Sequence, residues 1–154
     1  MLLEPCKDNY CFGCGGANPQ GLQLSFEQDD AARRIRAVFR LGAEYQGGSG
    51  FLHGGIIATL LDEIMAKLSR LDGNGTAVTA ELKVEYLKPV PVDSDLHAEA
   101  YEASREERNL FRVGEIKDSR GVLLARGTAR FVEIDRARHR EKLEAAGAPT
   151  TNNS

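Results

Sequence analysis

The sequence has no apolar run that approaches the roughly 20 residues needed for a membrane-spanning helix. It also has no excess of positive charge, since 20 Lys and Arg stand against 23 Asp and Glu and the formal net charge is −3. Proteins that bind nucleic acid usually carry a basic face, so this balance argues against that function. Acidic residues and a proline interrupt the first ten residues, where a signal peptide would be apolar. We therefore expect a cytoplasmic protein that binds neither membranes nor nucleic acids.

Cysteine is scarce as well, and three cysteines do not suggest a disulfide framework. They are clustered as Cys6, Cys11 and Cys14 in a glycine-rich segment. The C-x4-C-x2-C spacing resembles part of a zinc site, but a closed tetrahedral site needs four ligands. The nearest candidate for a fourth ligand, His53, lies far along the chain. We therefore expect reduced thiols and no bound metal, and the role of the three cysteines stays open.

The length of 154 residues allows one domain with a substantial hydrophobic core. We divide the chain into a Cys-rich segment at 1–20, a folded domain at 21–135, and a final part at 136–154. That final part begins as a charged helical turn and ends in a polar segment that we expect to be disordered.

Apolar and polar residues alternate in six stretches, which predicts strands at 21–28, 33–41, 76–90, 95–107, 110–118 and 121–134. The first two form a predicted hairpin, and one long helix separates them from the other four. In the stretch 76–90, the alternation places Val78 on the apolar face and Thr79 on the polar face. Because one helix cannot cover both faces of such a sheet, we expect an α+β fold in which an antiparallel sheet curls around the helix. An exposed face or edge of the sheet is then available to a second subunit.

The predicted helix has three surfaces. The first is a broad apolar half formed by Ile56, Ile57, Leu60, Leu61, Ile64, Met65 and Leu68. The second holds Glu63 and Lys67, four residues apart, which predicts a solvent-exposed ion pair. The third contains small residues and a single carboxylate, and its members are Thr59, Asp62, Ala66 and Ser69. This third surface indicates close approach by the sheet, a partner subunit or a ligand, although Asp62 can also be a structural carboxylate.

His53, Gly54 and Gly55 stand at the start of this helix. Backbone N–H groups there lack helical acceptors and carry the positive end of the helix dipole. Glycine lets a ligand approach that backbone closely, so an oxyanion or a polarised carbonyl can bind there. Asp62 lies nearly two turns further along the helix. A cleft that brings a carboxylate and the N–H groups of a helix start to one ligand therefore needs a second wall, such as another subunit. The alternative is that His53 only caps the helix.

The stretch "GFLHGGIIATLLDEIM", followed by "TAVTAELKVEYLKPV", resembles the hotdog-fold acyl-CoA thioesterases of the phenylacetate-pathway and human thioesterase-superfamily-member type. The similarity runs from about Leu24 to Ile134. It rests on the HGG-x6-Asp spacing combined with a strand that ends in Tyr-x-x-Pro. The resemblance implies a hotdog fold, hydrolase activity on an acyl-CoA thioester, and active sites at the interface of a homodimer that can pair into a homotetramer. It implies no cofactor apart from the CoA of the substrate.

The resemblance also implies roles for individual residues. Asp62 is the general base or the nucleophile, and the Gly54 or Gly55 N–H polarises the thioester carbonyl. His53 shapes that turn or hydrogen-bonds near the thioester sulfur. Thr79 positions the attacking water and is delivered from the facing subunit. The implied substrate contacts are Gln46 and Lys88, the latter toward the CoA phosphates.

Three readings remain open on the sequence. The first is an acyl-CoA thioesterase, in which a base for water and a donor for the oxyanion suffice because a thioester is already activated toward attack. The second is a hotdog dehydratase or hydratase, although Lys67 stands five residues after Asp62, where the hydratase pattern has histidine. The third is a non-catalytic hotdog protein that binds acyl-CoA. The sequence does not show which acyl chain is preferred or whether the acyl group is carried by CoA or by acyl-carrier protein. It also does not show whether the protein is a dimer or a tetramer.

Overall fold

A computed structural model describes residues 1–5, 7–73 and 75–147 of the chain. Cys6 lies outside these residues, as do residues 148–154, part of the predicted disordered end. The described elements are β1 (Leu2–Leu3), β2 (Phe26–Asp29), β3 (Arg34–Phe39), α1 (Gly54–Ala66), β4 (Thr76–Tyr86), β5 (Leu96–Glu106), β6 (Asn109–Asp118), β7 (Leu123–Ile134) and α2 (Arg136–Ala145). No helix within the described ranges has the length and apolar character to cross a membrane.

The seven strands form one sheet in the order β1-β2-β3-β5-β6-β7-β4, and every neighbouring pair is antiparallel. Helix α1 packs against β3 and against all four of the long strands. The predicted α+β arrangement of an antiparallel sheet and one long helix is therefore confirmed. Strand β4 is last in the sheet and pairs only with β7 among the described residues, so its outer edge is open.

The apolar half of α1 faces the sheet, as the sequence predicts. Its buried residues are Ile57, Leu60, Leu61, Ile64 and Met65. The helix approaches the sheet closely at Gly114 of β6 and Gly127 of β7, which oppose each other across the two strands. A Cβ atom on Gly127 would stand 3.3 Å from the Cβ atom of Leu61. These two glycines therefore let the helix lie close to the sheet.

The strand predicted at 21–28 is wrong over most of its length. Only Phe26–Asp29 joins the sheet, and Gln23 has a left-handed φ of 48°. The Leu22 N–H donates to the Phe12 carbonyl at 2.7 Å, and the Leu24 N–H donates to the Gly13 carbonyl at 2.9 Å. Residues 21–24 thus pair with the glycine-rich N-terminal segment instead of β3. Alternation in the sequence shows that a stretch is extended but not which segment satisfies its hydrogen bonds.

The charged helical turn predicted after the last strand forms the longer helix α2. Asp135 caps its start, because Oδ1 accepts hydrogen bonds from the Ala137 N–H at 2.9 Å and the Arg138 N–H at 3.3 Å. No residue of α2 is buried.

The predicted solvent exposure of Glu63 and Lys67 is also wrong. The two side chains do pair, with Lys67 Nζ 3.1 Å from Glu63 Oε1, but Glu63 is only 9% exposed. The glycine-rich turn at residues 11–14 lies over it, and a Cβ atom on Gly13 would stand 2.6 Å from Glu63 Oε2. The helical pattern places the pair correctly at a border of α1. It cannot show that a segment some 50 residues away in the chain covers that border.

Arg112 of β6 is buried at 1% exposure beneath the C-terminal end of α1. Its guanidinium donates to the Met65 carbonyl at 2.9 Å, to Ser69 Oγ at 3.1 Å and to Glu102 Oε2 at 3.3 Å. A cation that bonds a carbonyl near a helix C-terminus also interacts favourably with the helix dipole. Arg112 therefore ties the end of α1 to the sheet, and it accounts for Ser69 on the third surface of the helix.

We expect Arg112→Met to destabilise the protein strongly, because it leaves three buried or half-buried partners without their donor. The free energy of unfolding, measured by urea denaturation followed by circular dichroism, should fall by about 3 kcal/mol. Arg126→Met is the matched control, since Arg126 is partly exposed and its nearest carboxylate, of Glu115, is 3.9 Å away. Its loss should stay below about 1 kcal/mol. Equal losses in the two variants would contradict the role given to Arg112.

Candidate active site

Asp62, on the third surface of α1, contacts Thr79 of β4. Thr79 Oγ1 donates a hydrogen bond to Asp62 Oδ1 at 2.7 Å. Both residues belong to the same chain, so the prediction that Thr79 reaches Asp62 from the facing subunit is wrong. The third surface of the helix therefore meets the edge strand of its own sheet.

A bulge in β4 aims Thr79 at the helix. Thr79 and Glu81 oppose consecutive residues of β7, which leaves Ala80 as an extra residue in β4. An extra residue reverses the alternation of side chains on its two sides. Thr79 thus leaves the polar face that regular alternation predicts, and Val78, predicted on the apolar face, is 45% exposed. The two predicted faces of β4 are therefore wrong before the bulge.

The surroundings of Asp62 favour its protonated form. Burial raises the pKa of the Asp62 carboxyl above its usual range, the hydrogen bond from Thr79 opposes this, and the negative charge of Glu63 raises the pKa further. Within the described part of the chain, no Lys or Arg lies within salt-bridge distance of Asp62. A carboxylate with a raised pKa is a better general base at neutral pH than an ordinary one.

The start of α1 is capped by His53. Its backbone is extended, and its Nδ1 accepts a hydrogen bond from the Gly55 N–H at 2.9 Å. The Ile56 and Ile57 N–H groups donate to the His53 carbonyl. No acceptor for the Gly54 N–H is present among the described residues. Of the two glycines that the sequence leaves as alternatives, Gly54 has the available N–H, and His53 fulfils the capping role.

Tyr86 is a residue of this site that was not selected from the sequence. Its hydroxyl donates to the Gly54 carbonyl at 2.8 Å, although its side chain is largely exposed. The bond fixes the last residue of β4 against the first residue of α1. The Tyr-x-x-Pro pattern at the end of this strand contains Tyr86 and could have identified it from the sequence.

The two residues predicted to contact substrate lie at the same end of the molecule. Gln46 Oε1 accepts a hydrogen bond from the Gly50 N–H at 3.2 Å and thereby closes the glycine-rich loop before α1. A Cβ atom on Gly47 would stand 3.1 Å from the His53 Cα, so this loop packs against the helix start. Lys88 is exposed two residues beyond Tyr86. Its backbone N–H donates to the Leu124 carbonyl at 2.9 Å, which holds this end of β4 against the residues that begin β7.

These residues form two groups that do not meet within one chain. Asp62 lies eight positions after Gly54 in α1, which corresponds to about 12 Å along the helix axis. The carboxylate and the available N–H therefore cannot act on the same atom in a single chain.

We expect Asp62→Asn to stabilise the protein at neutral pH. Because the folded state raises the pKa of Asp62, the ionised carboxylate weakens the fold. This penalty is absent below the ordinary carboxyl pKa and grows as pH rises from there through the folded-state pKa. Urea denaturation should thus show a higher free energy of unfolding for Asp62→Asn near pH 7 and no difference near pH 3.5. Asp8→Asn, at an exposed position, is the control; an equal gain at both pH values would contradict the assignment.

Comparison with known proteins agrees with this architecture. The family model of the thioesterase superfamily matches residues 49–125, which is half of the chain. The chain is 33% identical over 116 residues to acyl-coenzyme A thioesterase THEM4 of Rattus norvegicus, covering 75% of this chain and 50% of that protein. It is 30% identical over 81 residues to acyl-coenzyme A thioesterase THEM5 of Homo sapiens, covering 53% of this chain and 32% of that protein. The chain thus spans half or less of the length of these curated relatives.

Solved structures agree as well. A thioesterase superfamily protein superposes with a TM-score of 0.74 at 25% identity, covering 80% of this chain and 60% of the other. The smu.793 protein of Streptococcus mutans, bound to acetyl CoA, has a TM-score of 0.61 at 20% identity, covering 66% of this chain and 81% of the other. The chain therefore belongs to the thioesterase superfamily and has the hotdog fold.

Proposed function

We propose that this protein is an acyl-CoA thioesterase, which hydrolyses a fatty or aryl acyl-CoA to the free acid and CoA. The observation that carries this proposal is the half-buried Asp62 carboxylate with its raised pKa, held by Thr79 on a face of α1 that carries no Lys or Arg. The names of the curated relatives, acyl-coenzyme A thioesterases, support the reaction class. The acetyl CoA bound to a structural neighbour supports the kind of ligand.

In the proposed mechanism, Asp62 removes a proton from a water molecule as that water attacks the thioester carbonyl carbon. The Thr79 hydroxyl holds the carboxylate in place and orients the water. The Gly54 N–H donates to the carbonyl oxygen as negative charge develops on it, and the helix dipole adds to this stabilisation. Attack by the Asp62 carboxylate itself, through an anhydride, is the alternative route. Lys88 offers its ammonium group to the CoA phosphates.

The site requires a homodimer, because the two groups stay about 12 Å apart in one chain. The open edge of β4 offers unpaired backbone N–H and C=O groups to a second copy. Three large apolar side chains on this part of the chain, Val78, Tyr86 and Leu87, are between 45% and 55% exposed. An interface along β4 would bury them.

Antiparallel pairing of two β4 strands also explains how the site is completed. Thr79 lies near the start of β4 and Tyr86 at its end. A two-fold axis near Leu82 places Thr79 of one copy beside Tyr86 of the second copy, and Tyr86 is bonded to Gly54. Asp62 of one chain then faces the available N–H of the other. Pairing of such dimers into a homotetramer, the cytoplasmic location and the absence of any cofactor beyond CoA stay predictions.

We expect the purified protein to release free thiol from at least one member of a panel of short, medium, long and aryl acyl-CoA thioesters. Asp62→Ala should lower kcat by about 100-fold or more, because a general base contributes on the order of 100- to 10,000-fold. Thr79→Val should lower kcat less and should raise the pKa seen in the pH profile of kcat/KM, since it removes a hydrogen bond to the ionised carboxylate. Binding of acyl-CoA with no hydrolysis would contradict the proposal and favour the non-catalytic reading.

The role of the Gly54 N–H is tested by Gly54→Pro, which deletes that single donor. Proline is favoured at the first position of a helix, and the extended backbone of His53 suits the residue before a proline. We expect kcat to fall by about 100-fold or more. Gly54→Ala is the matched control, because it keeps the N–H and its Cβ makes only ordinary contacts with Tyr86, the nearest at 3.4 Å. Equal loss in both variants would mean that bulk and not the donor matters.

Mixing of the inactive variants tests whether the site spans two chains. Dimers of Asp62→Ala with Gly54→Pro contain one site with both groups intact only if the carboxylate and the N–H come from different chains. After subunit exchange we expect about a quarter of the wild-type activity to return. If the site lies within one chain, the mixture will remain as inactive as its components, and the proposed dimer will be wrong.

A further inference from the structure

Cys11 and Cys14 form a cluster with Glu63 and Lys67 at the border of α1 that the glycine-rich N-terminal turn covers. Cys11 Sγ, Cys14 Sγ and a carboxylate oxygen of Glu63 all lie within 4.8 Å of one another, and both cysteines are free thiols. Lys67 Nζ donates to Cys14 Sγ at 2.8 Å and pairs with Glu63 Oε1 at 3.1 Å. The proposed hydrolysis of a thioester uses none of these four side chains. Two thiols so near to a buried ion pair therefore need an explanation of their own.

The turn that carries the two cysteines suits a disulfide bond. The Gly15 N–H donates to the Cys11 carbonyl at 2.9 Å, which closes the chain between the two cysteines into one tight turn. The two sulfur atoms lie within 4.8 Å of each other, so a disulfide requires them to approach further, to about 2.05 Å, by rotation of the side chains.

The two cysteines differ in exposure and acidity. Cys11 is half-exposed, whereas Cys14 is buried. A hydrogen bond from the Cys14 thiol lowers the pKa of Cys11 to about 6, against which burial and the charge of Glu63 act. The same bond and burial raise the pKa of Cys14. The more accessible sulfur thus has the lower pKa and the buried one the higher, which are the properties of an attacking and a resolving cysteine.

The charges in the cluster favour a dithiol over a metal site. The Lys67 ammonium already contacts both Cys14 and Glu63, two of the three side chains that a cation would need. The described residues supply no fourth ligand within reach of the other three. If the two thiols form a disulfide, by contrast, Glu63 and Lys67 remain as a buried ion pair with no net charge.

We propose that Cys11 and Cys14 form a redox-active dithiol that reduces low-molecular-weight disulfides and becomes an intrachain disulfide. The Cys11 thiolate attacks one sulfur of the disulfide RSSR; the S–S bond breaks, and RS⁻ leaves with the electron pair. The Cys14 thiol then loses its proton, and its sulfur attacks Cys11 Sγ and displaces the second RS⁻. The two thiolates take up protons, so one dithiol is oxidised and one RSSR is reduced to two RSH. Lys67 stabilises the Cys14 thiolate formed in the second step.

The test is reaction of the reduced full chain with glutathione disulfide, followed by mass spectrometry of alkylated tryptic peptides. Trypsin cleaves after Lys7, so Cys6 is separated from Cys11 and Cys14, which share the peptide 8–33. We expect peptide 8–33 to lose the mass of two hydrogen atoms without cross-linking to peptide 1–7. The rate should rise with pH with a midpoint near 6. A midpoint near the ordinary thiol value of about 8.5, or a bond that joins Cys6, would overturn the proposal.

Three variants distinguish a redox pair from thiols with only a structural role. Cys14→Ser should accumulate a glutathione adduct on Cys11, because the resolving thiol is missing. Lys67→Met should accumulate the same adduct and slow its resolution roughly tenfold, since Cys14 loses its partner cation. Lys142→Met, on the exposed helix α2, should behave like the wild type. Resolution in Lys67→Met at the wild-type rate would overturn the role of Lys67.

Metal binding is the competing outcome. The protein purified under reducing conditions should contain less than one zinc ion per chain by elemental analysis, and added Zn²⁺ should not protect Cys11 from reaction. Stoichiometric zinc that blocks the reaction with glutathione disulfide would overturn the proposal and identify the cluster as a metal site. None of these readouts depends on thioesterase activity.

Discussion

Three segments of the chain cover helix α1 from three sides, and the rest of the structure depends on these contacts. The sheet receives the apolar half of the helix, and Gly114 and Gly127 let the backbones come close enough for that packing. The edge strand β4 covers a second side through the contact of Thr79 with Asp62. The glycine-rich N-terminal turn covers a third side, over Glu63. Each of the two candidate sites lies where a covering segment meets a polar residue of this one helix.

The neighbouring carboxylates of Asp62 and Glu63 illustrate how the covering segment decides the chemistry. Glu63 is the more deeply buried, yet Lys67 compensates its charge directly. Asp62 has a hydroxyl as its partner and no cation within salt-bridge distance among the described residues, so burial raises its pKa. Two acidic residues that are adjacent in the sequence therefore differ in environment: Glu63 belongs to an ion pair, and Asp62 has no cationic partner among the described residues.

Much of the fold and half of the candidate site could be predicted from the sequence. The start of α1, its apolar half and the long strands β4 to β7 follow from periodicity, because local geometry repeats every few residues. His53, Gly54 and Asp62 could be placed relative to one another because they share one helix. Thr79 was assigned to the wrong face, since one bulge residue, Ala80, reverses the alternation and leaves no mark in the pattern. The covering of Glu63 was missed because it depends on a segment distant in the chain.

The sequence by itself determined which residues lie on each surface of α1, because the helical repeat depends only on spacing along the chain. Only the tertiary structure decided what meets those surfaces: Thr79 at Asp62, the Cys11 and Cys14 turn at Glu63 and Lys67, and Tyr86 at Gly54. The reason is physical. Contacts between distant segments depend on bulges, turns and burial that the whole chain sets together, and they fix the pKa values and available donors from which a site is made.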